Sequence, residues 1–295
     1  VTDESARVRL ERLGGNLALL HGILRGQRMF DDPEASSFYL NDAAFRELVE
    51  ANRDSLYISP MKAFEVPEEA KVAYDVQRVG EVPNAEEVPS FRLRGNQHLI
   101  LRENSPGPIG LMMPGIQVRG ALPSCVVYDA EGNELLREVF ARGEWLIFEP
   151  DGSEYYHAFI SAGGAFYSLQ VEGADWTVQD YPDSQGVHFL GDLAPMYVHV
   201  PEGTEELDLW LAASPPGETA AATLRAPDGR EIAHFDCTAK SIDQQRFAIG
   251  AGDAGWWKLV PTEPATGTVD DVWVHRAGGG WLVLDPEHAL IVSEK

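Results

Sequence analysis

The sequence predicts a mainly β protein, with two tandem antiparallel β-sandwiches of jelly-roll or immunoglobulin-like type preceded by a short α-helical pair. Three observations support this fold class. Short apolar runs separated by turn residues follow one another from Phe91 onward, as in antiparallel sandwiches. The order of these runs recurs after about a hundred residues, a period typical of duplicated domains. Near the start of the chain, apolar residues instead recur at helical spacing.

Composition limits the classes of protein to consider. The chain has 295 residues, of which 44% are hydrophobic, enough for two or three domains with their own cores. Its formal net charge of −24 predicts an electrostatic field that repels phosphate backbones and anionic surfaces. We therefore expect no nucleic-acid partner. No apolar run is long enough to span a bilayer, so no membrane span is expected.

Residues 1–59 are predicted to be a helical segment. Leucines at steps of three and four predict one amphipathic helix, formed by Leu10, Leu13, Leu17, Leu20 and Leu24. Asn41 is a suitable cap for a second helix that carries Phe45 and Leu48. Residues 60–90 contain four prolines, which indicates an extended linker or an edge strand.

The two sandwiches are predicted to span residues 91–186 and 187–295. Each contains a turn typical of a hairpin, at residues 129–134 and at Asp228-Gly229. Comparison of the two units pairs residues 131–135 with 228–232, and the aromatic run 166–169 with 256–259. These correspondences predict tandem domains that arose by duplication.

Motifs for metals, cofactors and nucleophilic catalysis are missing from the sequence. The eight histidines are scattered and match no zinc-protease motif, and no phosphate-binding glycine loop is present. Residues 129–134 fit a turn better than a calcium loop, so no cofactor is predicted and a structural Ca²⁺ is left open. Cys125 and Cys237 belong to no Cys-x-x-Cys motif, and either buried thiols or a disulfide would account for them.

Aromatic residues on the predicted strands are the candidate binding residues, because sugar rings stack on exposed aromatic planes. Adjacent strand residues face opposite ways, and on this basis Trp257 and Tyr167 are assigned to the outer surface. The carbohydrate-binding candidates are Trp257, Tyr167, Tyr156 and Trp210. Core packing is the alternative for each of them. Catalytic residues are not assigned, because the many carboxylates offer no distinguishable pair.

The second unit resembles the pre-peptidase C-terminal type of β-sandwich, which is found at the ends of secreted bacterial hydrolases. The resemblance is carried by residues 197–204, by the hairpin at 227–229, and by the closing run 255–260. The helical start, with residues 52–55 closing its second helix, looks like the helical tail that follows the catalytic barrel in some large, uncharacterised glycoside-hydrolase-like proteins. Together these resemblances imply an extracellular or periplasmic accessory region, with an N-terminal catalytic domain in the same parent protein.

Three functional hypotheses follow. The leading one is a non-catalytic accessory region that binds a polysaccharide or oligosaccharide, or acts as a rigid spacer. The second is a glycoside hydrolase or other hydrolase part with a carboxylate site between the domains. The third is a structural or assembly subunit of a surface protein, joined through the stripe from Leu10 to Leu24. We expect that the chain alone is not an enzyme, since its sequence contains no catalytic motif.

Overall fold

The architecture comes from a computed structural model that describes residues 72–117, 122–180, 186–214, 217–276 and 280–295. Within these ranges the chain forms twenty-one β-strands and no helix. The strands build five sheets in which the neighbours are antiparallel.

The strands of the first half of the chain are β1 (Tyr74–Gly80), β2 (Leu93–Arg94), β3 (Gln97–Glu103), β4 (Ile109–Met112), β5 (Ser124–Asp129), β6 (Glu134–Val139), β7 (Trp145–Phe148), β8 (Tyr156–Ser161), β9 (Phe166–Tyr167), β10 (Gln170–Glu172) and β11 (Ala174–Asp180). Those of the second half are β12 (Val187–Leu190), β13 (Met196–Val200), β14 (Glu206–Ala213), β15 (Ala221–Arg225), β16 (Glu231–Asp236), β17 (Ile242–Ala248), β18 (Gly255–Thr262), β19 (Asp271–Arg276), β20 (Gly280–Leu282) and β21 (Ala289–Glu294).

The same strand order occurs twice along the chain. In the first half, the run β3-β8-β5-β6 accompanies the sheet β10-β4-β7. In the second half, the sheet β13-β18-β15-β16 accompanies the run β19-β14-β17. Each half therefore contains a four-stranded and a three-stranded layer with equivalent connections. This is the β-sandwich character that the sequence predicts.

Equivalent hairpins connect β5 to β6 and β15 to β16. In each, a glycine closes the turn with φ of 84°, Gly132 in the first and Gly229 in the second. The amide of Gly132 donates to the carbonyl of Asp129 at 3.1 Å, and that of Gly229 donates to the carbonyl of Ala226 at 2.9 Å. Both hairpins also contain a register shift beside the turn, as expected for a three-residue loop with a bulge.

One predicted correspondence between the halves is wrong. The sequence comparison paired the run 166–169 with 256–259, which lies in β18. By its hydrogen-bonding partners, the counterpart of β18 is β8, because β8 lies between β3 and β5 as β18 lies between β13 and β15. Phe166–Tyr167 instead forms the short strand β9, which pairs with β2. The pairs Phe166-Tyr167 and Trp256-Trp257 are similar in sequence but lie in strands that are not equivalent.

The predicted fold class needs correction in two respects. The described residues are all β, and the helical pair assigned to residues 1–59 lies outside them. The sandwiches are also not simply tandem, because strands of one half extend sheets of the other. Strand β20 joins β11, and β2 with β9 joins β12. These additions satisfy backbone groups that separate sandwiches would expose at sheet edges. The predicted domain boundaries stay predictions.

A single buried cluster includes residues of the four larger sheets. Leu111, Leu99, Leu209 and Trp257, one from each of these sheets, belong to it and are at most 1% exposed. The described residues accordingly all belong to one compact unit. Burial of this continuous apolar surface is the main stabilising contribution, and it couples the two halves of the chain.

Both cysteines are free and buried in the structure. Burial raises the pKa of Cys125 to about 12 and that of Cys237 to about 11, so both thiols stay protonated at neutral pH. The sequence left open whether the two cysteines are buried thiols or a disulfide, and in the structure they are buried thiols.

The described ranges contain no helix with the length and apolar character needed to cross a membrane.

Candidate functional site

A cavity of about 470 Å³ lies where the two halves meet, beside strands β1 and β21. Its volume is within the range of small-molecule binding sites in proteins, roughly 300 to 1,000 Å³. We call it the tryptophan groove and define it by six of its lining residues, Gln77, Gln179, His199, Trp256, Arg276 and Trp281.

Two cross-strand pairs place both tryptophans in the groove. Trp256 of β18 lies opposite His199 of β13, and Trp281 of β20 lies opposite Gln179 of β11. Residues directly opposite each other in antiparallel strands share a sheet face. Each indole therefore has a polar neighbour on the same side of its sheet. Backbone hydrogen bonds of 3.0 and 2.9 Å between Tyr197 and Val283 join β13 to the segment after β20.

Edge-on contacts hold both indoles. The rings of Trp256 and His199 have centroids 5.0 Å apart and meet at 63°. Trp281 meets Tyr74 at 5.3 Å and 88°, and His98 at 5.5 Å. Both tryptophans are only half-buried, so part of each indole remains exposed. Fixed, partly exposed indoles can receive an apolar ligand face with little loss of side-chain entropy.

A buried pair of histidines lies behind Gln179. His98 Nδ1 hydrogen-bonds Gln179 Oε1, and His98 Nε2 lies 3.0 Å from His157 Nδ1. An amide oxygen only accepts, so His98 carries its proton on Nδ1 and His157 donates from its own Nδ1 to His98. His157 Nε2 is then an acceptor, and it has no partner in the described part of the chain.

Both histidines of this pair are neutral at ordinary pH. The pKa of His98 is lowered to about 3, chiefly by burial and in smaller part by the neighbouring His157, against a raising effect of the hydrogen bond to Gln179. Burial lowers the pKa of His157 to about 4, opposed by the negative charge of Asp129. Desolvation of the imidazolium form is thus the dominant cause for each.

His199 and Arg276 also line the groove. Burial lowers the pKa of His199, and the charge of Arg276 lowers it further, so His199 is neutral at pH 7. A Cβ atom on Gly280 would lie 2.6 Å from Cδ of Arg276, so the absence of a side chain there lets Arg276 cross the strand closely. His199 Nδ1 is buried without a partner among the described residues.

The predicted outward orientation of Trp257 and Tyr167 is wrong. Trp257 is 1% exposed and donates its Nε1 proton to the carbonyl of Asp253 at 2.8 Å. Tyr167 is fully buried and donates to the carbonyl of Gly95 at 3.1 Å. The alternation within each aromatic pair is present but has the opposite phase, because Trp257 lies across from buried Val198.

The other two candidates also lie outside the tryptophan groove. Tyr156 is fully buried, and its hydroxyl donates to Asp151 Oδ1 at 3.2 Å. Trp210 is half-buried and tilted against His275, with ring centroids 4.7 Å apart. A fully buried ring offers no free face for stacking. The structure thus does not bring the four candidates together on one exposed surface, since Tyr156, Tyr167 and Trp257 belong to the buried core.

Sequence reasoning missed the residues that do form the groove. One usable signal was present, because the strand pattern placed His199 on the face opposite Val198 and Val200. Trp256 shares that face once β13 is paired with β18. No comparable signal identifies Trp281, Gln77 and Gln179, which belong to strands far apart in the chain.

A second cavity, of about 860 Å³, is lined by several carboxylates. Two of them make protein contacts. Glu86 Oε1 lies 3.4 Å from Lys258 Nζ and 3.6 Å from Arg225 Nη1. Asp285 Oδ2 accepts from Trp176 Nε1 at 3.4 Å and lies 3.0 Å from His288 Nδ1. We call this cavity the acidic cleft.

Within the described ranges, no three His, Cys, Asp or Glu side chains are grouped so that they could hold a metal ion. The turn at residues 129–134 uses its carboxylate locally, since Asp129 Oδ1 accepts from the amides of Glu131 at 3.0 Å and Asn133 at 2.7 Å. This supports the hairpin interpretation of that segment. The prediction that no cofactor is bound stays a prediction.

Comparisons with known proteins identify no family. No protein-family model matches the chain, and no curated protein matches it. Among solved structures, the chain is similar to the M60 catalytic domain with the CBM51-1 and CBM51-2 domains from Clostridium perfringens ZmpB, at 9% identity and a TM-score of 0.24. The likeness covers 69% of this chain and 37% of that chain, and at this level it carries no argument about fold or function.

Proposed function

We propose that this chain is a non-catalytic carbohydrate-binding region whose ligand site is the tryptophan groove. The proposal rests on one observation, the presence of two half-buried indoles and two side-chain amides around one cavity of about 470 Å³. The C–H faces of a sugar ring pack on indole surfaces, and its hydroxyls bond to amides. The binding surface is thus reassigned from Trp257 and Tyr167 to Trp256 and Trp281.

An accessory role in an exported carbohydrate-active protein is part of this proposal. A β-sandwich with a surface groove is suited to binding without chemistry, because it supports a ligand on rigid strands. The parent protein would supply catalysis through a separate N-terminal domain, in an extracellular or periplasmic location. The strongly acidic composition disfavours nucleic-acid and anionic-membrane partners.

The hydrolase alternative would place its carboxylates in the acidic cleft. Glu86 and Asp285 are less suitable for that role, because each already contacts basic or indole groups of the protein. A general acid or nucleophile has to remain available to the substrate. We therefore favour binding over hydrolysis.

Affinity electrophoresis tests the proposal. The chain and its Trp256→Ala variant are run through native gels that contain plant, algal or bacterial polysaccharides, with and without a chelator. We expect at least one polysaccharide to retard the chain, and to retard the Trp256→Ala variant much less. Equal migration of both proteins in every gel would refute binding at the groove. Release of reducing sugar from a retarding polysaccharide would favour the hydrolase alternative.

A further inference from the structure

The two side-chain amides of the tryptophan groove are oriented in opposite senses. Gln77 Nε2 donates to Asp75 Oδ2 at 3.1 Å, so its carbonyl oxygen is the end that can accept a further hydrogen bond. Gln179 Oε1 accepts from His98, so its Nε2 is the end that can donate. In the described part of the chain, no protein group bonds either of these remaining ends.

The orientation of Gln179 is coupled to the tautomer of a buried histidine behind the groove. His98 is fully buried and bonds to His157, and the two imidazoles stack at 5.2 Å. With the oxygen end of Gln179 facing it, His98 Nδ1 carries the proton, and His98 Nε2 accepts from His157. Rotation of the amide by half a turn would place two donors against each other in a buried site.

From this arrangement we infer that the groove selects an uncharged sugar, with Gln179 donating to one ligand oxygen and Gln77 accepting from a hydroxyl. His98 is the positioning residue for Gln179. The inference rests on the proposed function and specifies its ligand class.

Hydroxyl groups suit this pair of amides because each hydroxyl both donates and accepts. A carboxylate only accepts, so it would leave the oxygen of Gln77 unpartnered. Arg276 is the cation in the groove, but it has interactions of its own within the protein, and Glu294 also lines the cavity. An anionic ligand would thus meet a carboxylate of the groove in a protein that already carries an excess of negative charge.

The test uses the methyl glycosides of glucose, galactose and mannose, together with the matching uronates. Binding is followed through the indole N–H resonances of Trp256 and Trp281. At least one neutral glycoside is expected to shift both resonances, and its uronate is expected to bind more weakly. Gln179→Glu keeps an acceptor for His98 but removes the donor, and should weaken binding of the neutral glycoside about 3- to 10-fold, the loss of one hydrogen bond. The exposed Gln170→Glu makes the same chemical change outside the groove and should bind as the unaltered chain does.

Two further measurements examine the positioning role of His98. Imidazole nitrogen shifts should place its proton on Nδ1. His98→Phe should increase the mobility of the Gln179 side-chain amide and weaken glycoside binding. Because phenylalanine is neutral, as His98 is, this variant does not change the charge of the groove. If His98→Phe does not fold, Gln179→Glu and the nitrogen shifts still decide the question.

The outcomes separate this inference from the proposed function. Tighter binding of uronates, unchanged affinity in Gln179→Glu, or a proton on His98 Nε2 would overturn the inference and leave carbohydrate binding intact. If neither neutral nor acidic sugars shift the indole resonances, and no polysaccharide retards the chain, the proposed function fails and the ligand assignment fails with it.

Discussion

Acidification below about pH 6.5 should destabilise the folded chain through His98 and His157. Both are fully buried, and their pKa values in the folded protein are about 3 and about 4. In the unfolded chain both have the ordinary value near 6.5. Above that value neither histidine is protonated in either state, so their contribution to stability is complete. As the pH falls, the unfolded chain binds protons that the folded chain excludes, and stability decreases.

The magnitude follows from the two shifts. Each pH unit between the folded and unfolded pKa values costs about 1.4 kcal/mol per histidine. Between about pH 8 and pH 5, each histidine therefore removes about 2 kcal/mol, and the pair removes about 4 kcal/mol. This is a large part of the 5 to 15 kcal/mol by which domains are typically stable. The loss should level off only near the folded pKa values.

Urea denaturation at a series of pH values measures this loss as a change in the free energy of unfolding. The His98→Gln/His157→Gln double variant should lose less stability than the unaltered chain over the same range, by about 4 kcal/mol. The exposed His234→Gln is the matched control and should keep the full dependence. If the double variant is unstable, each single variant should remove about half of the pH-dependent loss of stability. An identical pH dependence in the double variant and the unaltered chain would refute the reasoning, as would pKa values near 6.5 measured by NMR.

Three further predictions concern the groove and the backbone. Trp256→Ala should weaken polysaccharide retention about tenfold at a smaller cost in stability than Trp257→Ala, which should lower the free energy of unfolding by about 3 to 5 kcal/mol. Gel retardation and calorimetry compare the two, and a larger loss of stability in the first variant would contradict the assignment of faces. Gly173→Ala should destabilise the chain by more than about 1 kcal/mol, because φ is +78° and the added Cβ would lie 2.5 Å from the carbonyl of Pro108. Gly164→Ala, which has open space and no positive φ, should be nearly neutral in the same denaturation assay. Gly280→Ala should displace Arg276 and alter the groove. We expect the affinity for glycosides to change while the free energy of unfolding stays nearly the same, and glycoside titration and urea denaturation measure the two.

Much of the local structure could be predicted from the sequence. The runs of apolar residues gave strands, and the glycines at 132 and 229 gave the two hairpins, because a tight turn there needs positive φ. The repeat also anticipated the two equivalent strand orders. These features depend on short stretches of chain, where alternation and turn chemistry act directly.

The pairing of distant strands could not be predicted in the same way. Strand β20 extends a sheet of the other half, and β1 pairs with β21 across about two hundred residues of chain. Propensities describe a strand but not its partner, so the sequence suggested two separate sandwiches. That β8 is the strand equivalent to β18 in the other half of the chain was likewise visible only in the order of hydrogen-bonded strands.

The sequence by itself determined that the chain is rich in strands, that its strand order is repeated, and that Trp256 and Trp257 face opposite sides of their strand. Only the tertiary structure decided which of Trp256 and Trp257 faces outward, because a shift of one residue in register reverses both faces of a strand. It also decided the location of the groove. Trp281, Gln77 and Gln179 meet there because sheet edges from both halves of the chain come together, and that arrangement depends on long-range packing rather than on any local pattern.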